Sequence, residues 1–248
     1  MKLGVVAQAR LDSSRLPNKA LLPLGGKPML LRVLEALQTI PADVHILACS
    51  EDSAEAFRDI ALQAGFELVP GPKDDVLHRF ILAVDAFRLD WVIRATADNP
   101  FVFADAADFI ARESIMLEAD YGTFAFMPYG SGVEVIRAEA LYRAHQETTS
   151  PYDREHVCPY LYGNPSQFAL HRPLTPNMWR FPQVRLTVDT PEDYQQAQGI
   201  YEQLSSFDKT GNSESLIPSR YQGSTILAAY RCWKQEKSAN TNDTEYYQ

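Results

Sequence analysis

The chain predicts an α/β fold in three layers, a mostly parallel mixed sheet between helices. Apolar runs rich in β-formers alternate with stretches of helical period through the first hundred residues. Turn or cap signals mark the entries to several of the helical stretches. Polar, charged loops follow the apolar runs directly, where a parallel sheet has its carboxyl ends.

In order, Leu3 to Ala7 reads as a strand, Met29 to Gln38 as a helix, Val44 to Ala48 as a strand and Ala54 to Ala64 as a helix. A short strand at Phe66 to Val69 follows. A helix from Asp74 to Phe87, entered through Gly71-Pro72, leads to a buried strand at Trp91 to Ala95. After Pro100 the rhythm becomes mixed: a helix near Ala104 to Leu117, strands near Tyr121 to Phe126 and Val133 to Ile136, then a helix from about Ala138. Val184 to Val188 is strand-like and runs into Thr190-Pro191-Glu192-Asp193. There Thr190 suits an N-cap, Pro191 the first helical position and the two acids the first turn of a helix to about Leu204. Residues 1–205 are expected to form one domain. Residues 206–248, Ser/Gly/Asn-rich with apolar character only at Ile226 to Trp233, are expected to be an extension ending in a disordered polar tail.

Composition narrows the function. With 248 residues and 46% hydrophobic content, one sizeable core is the natural expectation. A net charge of −9 argues against nucleic acid, because a phosphate-tracking protein carries a broad basic face. No apolar run is long enough to span a membrane, and the opening MKLGVVAQAR turns polar too early for a signal peptide, so a soluble, cytoplasmic protein is expected. Cys49, Cys158 and Cys232 lie far apart without a CxxC spacing, which suggests neither a zinc site nor a disulfide framework.

The first strand ends at Ala9-Arg10-Leu11-Asp12-Ser13-Ser14-Arg15-Leu16-Pro17-Asn18-Lys19. Three cations among small residues at such a position suit a polyphosphate, whose oxygens backbone N–H groups can cradle while guanidinium and ammonium groups neutralise them. Gly25-Gly26, able to take positive φ, supplies a tight turn before a helix start at Pro28. Asp98, in Thr96-Ala97-Asp98-Asn99-Pro100, and Asp189 both follow predicted strands. There each serves as a turn residue or as a hard oxygen ligand for Mg²⁺. Asp75 and Arg79 are four apart on a predicted helix, the spacing of an ordinary ion pair.

The run AQARLDSSRLPNKALLPLGGKPML resembles the opening of the acylneuraminate and Kdo cytidylyltransferase superfamily. Gln8, where the Kdo and sialate enzymes usually have proline, is more similar to the branch named for the spore coat polysaccharide biosynthesis protein SpsF. The likeness continues in blocks to about Tyr201: Gly71-Pro72-Lys73-Asp74-Asp75-Val76-Leu77-His78-Arg79-Phe80, ATADNPFV, Pro128-Tyr129-Gly130-Ser131-Gly132-Val133-Glu134-Val135, Arg154-Glu155-His156-Val157 with Pro159-Tyr160, and RLTVDTPEDY. Ala97 stands where the family has glycine, and Gly132 where an aspartate is common.

The resemblance implies a nucleotidyltransferase fold of GT-A/Rossmann-like type and a cytidylyltransferase that joins CMP from CTP to a sugar or sugar-like acid. Arg10, Lys19 and Asp98 would then be catalytic. Ala7, Ala9, Arg10, Arg15, Lys19, Ser50, Asp75, Arg79 and Arg94 would face the nucleotide. Glu134, Arg154, Glu155, His156 and Tyr160 would face an acidic or amino sugar-like acceptor, and Asp98 and Asp189 would hold Mg²⁺. The family also implies a homodimer. Two rivals remain at this level: a glycosyltransferase of similar architecture, and a noncatalytic nucleotide-binding partner in polysaccharide assembly. Against the first, such enzymes usually carry Asp-x-Asp after the central strand, whereas Ala97-Asp98-Asn99 offers one acid.

Overall fold

In the computed structural model, residues 1–207 and 217–245 are described, with side chains to residue 239. The chain opens with β1 (Leu3–Ala9) and a loop. A hairpin of β2 (Pro23–Leu24) and β3 (Lys27–Pro28) follows, then α1 (Met29–Leu37). Gly25 and Gly26 turn this hairpin with φ of 56° and 79°. At Gly25 a Cβ would also stand 2.2 Å from the Tyr201 ring, so glycine is needed there twice over. Next come β4 (Val44–Ser50), α2 (Ala54–Ala64), β5 (Glu67–Gly71), α3 (Val76–Phe87), β6 (Trp91–Thr96) and α4 (Ala104–Met116). Beyond them lie β7 (Tyr121–Gly122), β8 (Glu134–Arg137), α5 (Ala138–Glu147), α6 (Pro151–His156), α7 (Pro159–Gly163), β9 (Leu170–His171), α8 (Pro191–Phe207) and α9 (Gly223–Glu245).

The seven-stranded sheet has the order β5-β4-β1-β6-β8-β7-β9. β1 is central, parallel to β4 from Gly4↔Val44 and to β6 from Leu3↔Trp91, while β8 runs antiparallel to β6. The chain leaves β1 toward β4 and β5 on one side and returns to β6 on the other. The order therefore reverses between β1 and β6, and a ligand crevice is expected at their carboxyl ends.

The pleat explains why these runs read as continuously apolar. Val5, Ala7, Leu47, Cys49, Ile93 and Ala95 enter one core, and Val6, Ile46, Ala48 and Val92 enter the other. A slip of one residue would exchange the two sets, each aliphatic side chain contributing about 1.5–3 kcal/mol by its burial.

Three expectations need correction. Tyr121 to Phe126 does not pair throughout: only Tyr121–Gly122 joins the ladder, with one further bridge at Ala125↔Leu174. Phe126 turns the chain at φ 70°, and Pro128 has no N–H to donate. Val184 to Val188 is extended but belongs to no ladder, because its neighbours are loop backbone. Leu186 N–H donates to the Tyr129 carbonyl and Val188 N–H to the Asp98 carbonyl, both at 2.8 Å. Asp75 and Arg79 do not pair with each other; their separate partners are given below.

Thr190 does cap α8. Its Oγ1 accepts from Asp193 N–H at 3.2 Å, while Asp193 Oδ2 accepts from Thr190 N–H at 3.1 Å. The stretch 208–216 and residues 246–248, where a disordered tail was expected to end, lie outside the described residues. The polar residues after Trp233 are helical where described, continuing α9 to Glu245. Ile217, Ile226, Leu227 and Ala229 bury into the main core, and Trp233 packs over Gly199 of α8.

Candidate active site

A cleft of about 760 Å³ opens at the reversal point between β1 and β6. Its walls are the 8–20 segment, the Thr96–Asn99 turn, the 123–134 segment and α6. That volume accommodates a nucleotide with a sugar beside it.

Lys19 occupies its centre. Its Nζ donates to Asp98 Oδ2 at 3.1 Å, to Asp189 Oδ1 at 3.0 Å and to the Val188 carbonyl at 2.9 Å. The Val188 N–H bond to the Asp98 carbonyl fixes the turn after β6 against the segment that leads into α8, so two acids 91 positions apart meet at one nitrogen. Gly130 (φ 88°) lets the 127–132 loop close over this junction, since a Cβ there would lie 2.6 Å from Thr187 N.

Each acid is braced. Thr96 Oγ1 donates to Asp98 Oδ1 at 2.6 Å, and Asn99 Nδ2 donates to Thr96 Oγ1 at 2.8 Å. Arg15 Nη2 lies 3.2 Å from Asp189 Oδ1, and Arg185 Nη2 donates to Asp189 Oδ2 at 2.7 Å. Arg185 is held in turn by Asp193 and lies over the Tyr129 ring. Burial opposes the charge on Asp189. Bonds and charge from Lys19, Arg15 and Arg185 outweigh it, so its pKa sits below the ordinary value of 3.8. Asp193 is lowered in the same way, burial being outweighed by Arg185.

A second network forms the floor. Arg94 Nη1 pairs with Glu134 Oε2, Arg94 Nε donates to Gln8 Oε1 at 3.0 Å, and Tyr121 Oη donates to Glu134 Oε1 at 2.6 Å. Burial pushes the Tyr121 phenol up and the Glu134 charge adds to it, so the hydroxyl stays a donor.

Of the residues expected at a site, Ala9, Arg10, Arg15, Lys19, Arg79, Arg94, Asp98, Glu134, Glu155, His156 and Asp189 line the cleft. Arg79 is only 2% exposed, and its Nη1 donates to the Ala9 carbonyl at 3.0 Å. Arg10 Nη1 reaches across to Glu155 Oε1 at 3.4 Å.

Five others stand outside it. Ala7 is buried within β1. Ser50 is buried and bonded to Asp52 and Ser53, whose Oγ accepts from Leu11 N–H and so anchors the loop. Asp75 caps α3 through His78 N–H and accepts from Arg154 Nη1 at 3.0 Å, while Arg154 Nη2 donates to the His145 carbonyl. Tyr160 donates to Glu147. Asp75, His78 and His145 bring ligand atoms within 4.8 Å of one another, but the Arg154 guanidinium already sits on that carboxylate.

Sequence reasoning missed Arg185, Asp193, Thr96 and Tyr121 as bracing groups. Arg185 alternates with the buried Val184 and Leu186, a pattern that marks it as facing out of the core. Tyr121 carries no such signal. Burial pushes the Cys49 thiol up to about 11; burial and the neighbouring Glu134 raise Cys158 as well, so both stay protonated.

A mixed sheet with a cation-rich loop after its first strand, and two acids meeting that loop at the order reversal, defines a nucleotidyltransferase. The chain belongs to the cytidylyltransferase family, whose signature spans residues 5–221, and it is a cytidylyltransferase.

It is 28% identical over 216 residues to the spore coat polysaccharide biosynthesis protein SpsF of Bacillus subtilis (strain 168), covering 84% of this chain and 90% of that one. Its fold is similar to that of a cytidylyltransferase from Leptospira borgpetersenii serovar Hardjo-bovis (strain JB197), at a TM-score of 0.82 and 24% identity over 96% of each chain. It is also similar to that of CMP:2-keto-3-deoxy-manno-octonic acid synthetase complexed with CTP, at 0.65 and 17% over 82% of this chain and 99% of that one. At these identities the two structures speak to the fold alone. No helix among the described residues is long and apolar enough to cross a membrane.

Proposed function

We propose that the enzyme transfers CMP from CTP to a hydroxyl of a sugar or sugar-like acid and releases pyrophosphate. The single observation that carries this is the meeting of Lys19 with Asp98 and Asp189 at the reversal point, with Arg10 and Arg15 on the same loop. Cytosine as the base is supported by family membership.

Two carboxylates converging on one small cation form a hard-oxygen donor set of the kind Mg²⁺ takes. Asp98 and Asp189 are the residues that would hold it; when bound it neutralises phosphate oxygens and raises the acidity of the acceptor hydroxyl. Thr96 and Arg185 fix the orientation of those acids. Lys19, Arg10 and Arg15 receive the triphosphate and absorb the charge that moves onto the departing pyrophosphate as the acceptor oxygen attacks the α-phosphorus. Arg94 is held by Glu134 and Gln8, so it shapes the floor and orders Glu134. Phe126 of the 123–134 wall and Leu174, which bridges to Ala125, are exposed apolar side chains that favour a homodimer.

Pyrophosphate release from each of the four nucleoside triphosphates, with keto-deoxy acids and amino sugars as acceptors, tests the reading. Turnover confined to CTP with one of these acceptors is expected. Hydrolysis or transfer of a finished sugar nucleotide without pyrophosphate release from CTP would overturn it.

A further inference from the structure

Lys19 is placed differently from the other cations of the cleft. Arg10 and Arg15 have side chains 47% and 65% exposed, whereas Lys19 is 15% exposed. Its three donor positions are all taken, by Asp98, Asp189 and the Val188 carbonyl. The ammonium thus sits at the point on which both acids converge. A divalent cation bound by those acids and the Lys19 ammonium cannot share that point.

We infer that Lys19 is the resident counter-cation of the acidic pair in the free enzyme, and that it yields that place only when a triphosphate gives it a new partner. Metal loading is then coupled to nucleotide loading through one side chain. The inference rests on the metal reading of Asp98 and Asp189 given above.

The physical reason is exchange of partners. Without nucleotide, an entering cation must displace an ammonium that is mostly shielded from water and has nowhere of comparable charge to go, so it gains the acids only by leaving Lys19 unpaired. With nucleotide, the ammonium moves to phosphate oxygens and keeps its charge-assisted bonds, while the acids are released. Arg185 is not displaced in this exchange, because its anchor is Asp193. Asp189 therefore keeps one positive neighbour, which holds its carboxylate in place during the handover.

Removing the ammonium should reverse the order. In Lys19→Met Asp98 loses its cation and Asp189 keeps only Arg15 and Arg185, so the point of convergence is open and free metal becomes the partner the two acids share.

The test uses the purified full chain, with Mn²⁺ as the probe and its free signal followed by electron paramagnetic resonance. It is run with and without a CTP analogue that cannot be cleaved between the α- and β-phosphates. Wild type should bind Mn²⁺ at least about tenfold more tightly with the analogue than without it. Lys19→Met, and Lys19→Gln as a second variant of different polarity, should bind Mn²⁺ without nucleotide at least about tenfold more tightly than wild type does. Equal or weaker binding in both variants, with circular dichroism showing them folded, overturns the inference. Asp98→Asn and Asp189→Asn separate the two levels. If they bind Mn²⁺ as wild type does, with and without the analogue, the metal reading itself falls. If they lose binding while the Lys19 variants show no gain, only the coupling falls.

Discussion

The two halves of the cleft are built from the same kinds of residue, yet they are held differently. In the half formed by the β1 loop and the two strand-end acids, charge pairs cross between loops: Arg15 to Asp189, Lys19 to both acids, Arg10 to Glu155. Several of those groups are substantially exposed and can exchange partners when a polyphosphate arrives. In the half formed by β6, β7 and β8 with the end of β1, Arg94, Glu134 and Tyr121 close on one another and on Gln8. Its bonds run among its own members rather than across the cleft. The difference teaches that one half does electrostatic work by rearranging, and the other fixes shape by staying put.

The largest effect should come from the exchanging half. Asp98→Asn removes one of two carboxylates from the convergence point while keeping its size and its bond from Thr96. We expect kcat/KM to fall by about a thousandfold, roughly 4 kcal/mol of transition-state stabilisation, with folding stability little changed. Steady-state pyrophosphate release and thermal unfolding check both parts. Near-normal turnover would remove Asp98 from the chemistry.

The fixed half should show the opposite signature. Glu134→Ala leaves the shielded Arg94 guanidinium without its carboxylate and strands the Tyr121 hydroxyl, so a stability loss of about 3 kcal/mol is expected in urea unfolding. A loss below about 1 kcal/mol would mean that water reaches the floor and that the two halves are not distinct in this way.

How far the sequence foretold this contrast follows from the range of the interactions. The parallel half was legible because its strands are buried on both faces and read as apolar runs, and because the ligand loop follows β1 without a break. Asp98 and Asp189 were found as strand-end acids, one of them before a helix cap that local chemistry predicts. What could not be read is pairing across distance. Nothing near Asp75 says that it will meet Arg154 rather than Arg79, since that choice is made by α6 packing against α3. The antiparallel half was blurred for a related reason: β7 and β9 are two residues each, too short to show a period, and residues 184–188 alternate like a strand while bonding to loops.

A smaller effect distinguishes bracing from contact within the exchanging half. Asp189 and Asp193 both have pKa values below the ordinary 3.8. The stability they contribute is therefore complete above that value and is lost as pH falls through their lower folded values. Arg185→Met takes a partner from both, so their folded values rise toward 3.8 and the variant loses less stability than wild type as pH falls below 3.8. Because Arg185 is 42% exposed, the stability change at neutral pH should stay under about 1 kcal/mol. Unfolding followed from pH 7 downward checks the sign. A variant whose stability falls by more than that of wild type between pH 7 and acid would refute it.

The smallest effect on stability, and the sharpest on function, falls where the halves meet. Arg10 and Glu155 face each other across the cleft with both side chains 47% exposed, and a pair so open to water contributes on the order of 0.5 kcal/mol at most. Glu155→Gln should leave unfolding almost unchanged. If Arg10 swings to phosphate when nucleotide binds, Glu155 is left facing the acceptor. The substitution should then raise the acceptor KM by about tenfold while leaving the CTP KM alone. Should both constants move together, Glu155 serves the nucleotide as well as the acceptor and does not separate the two.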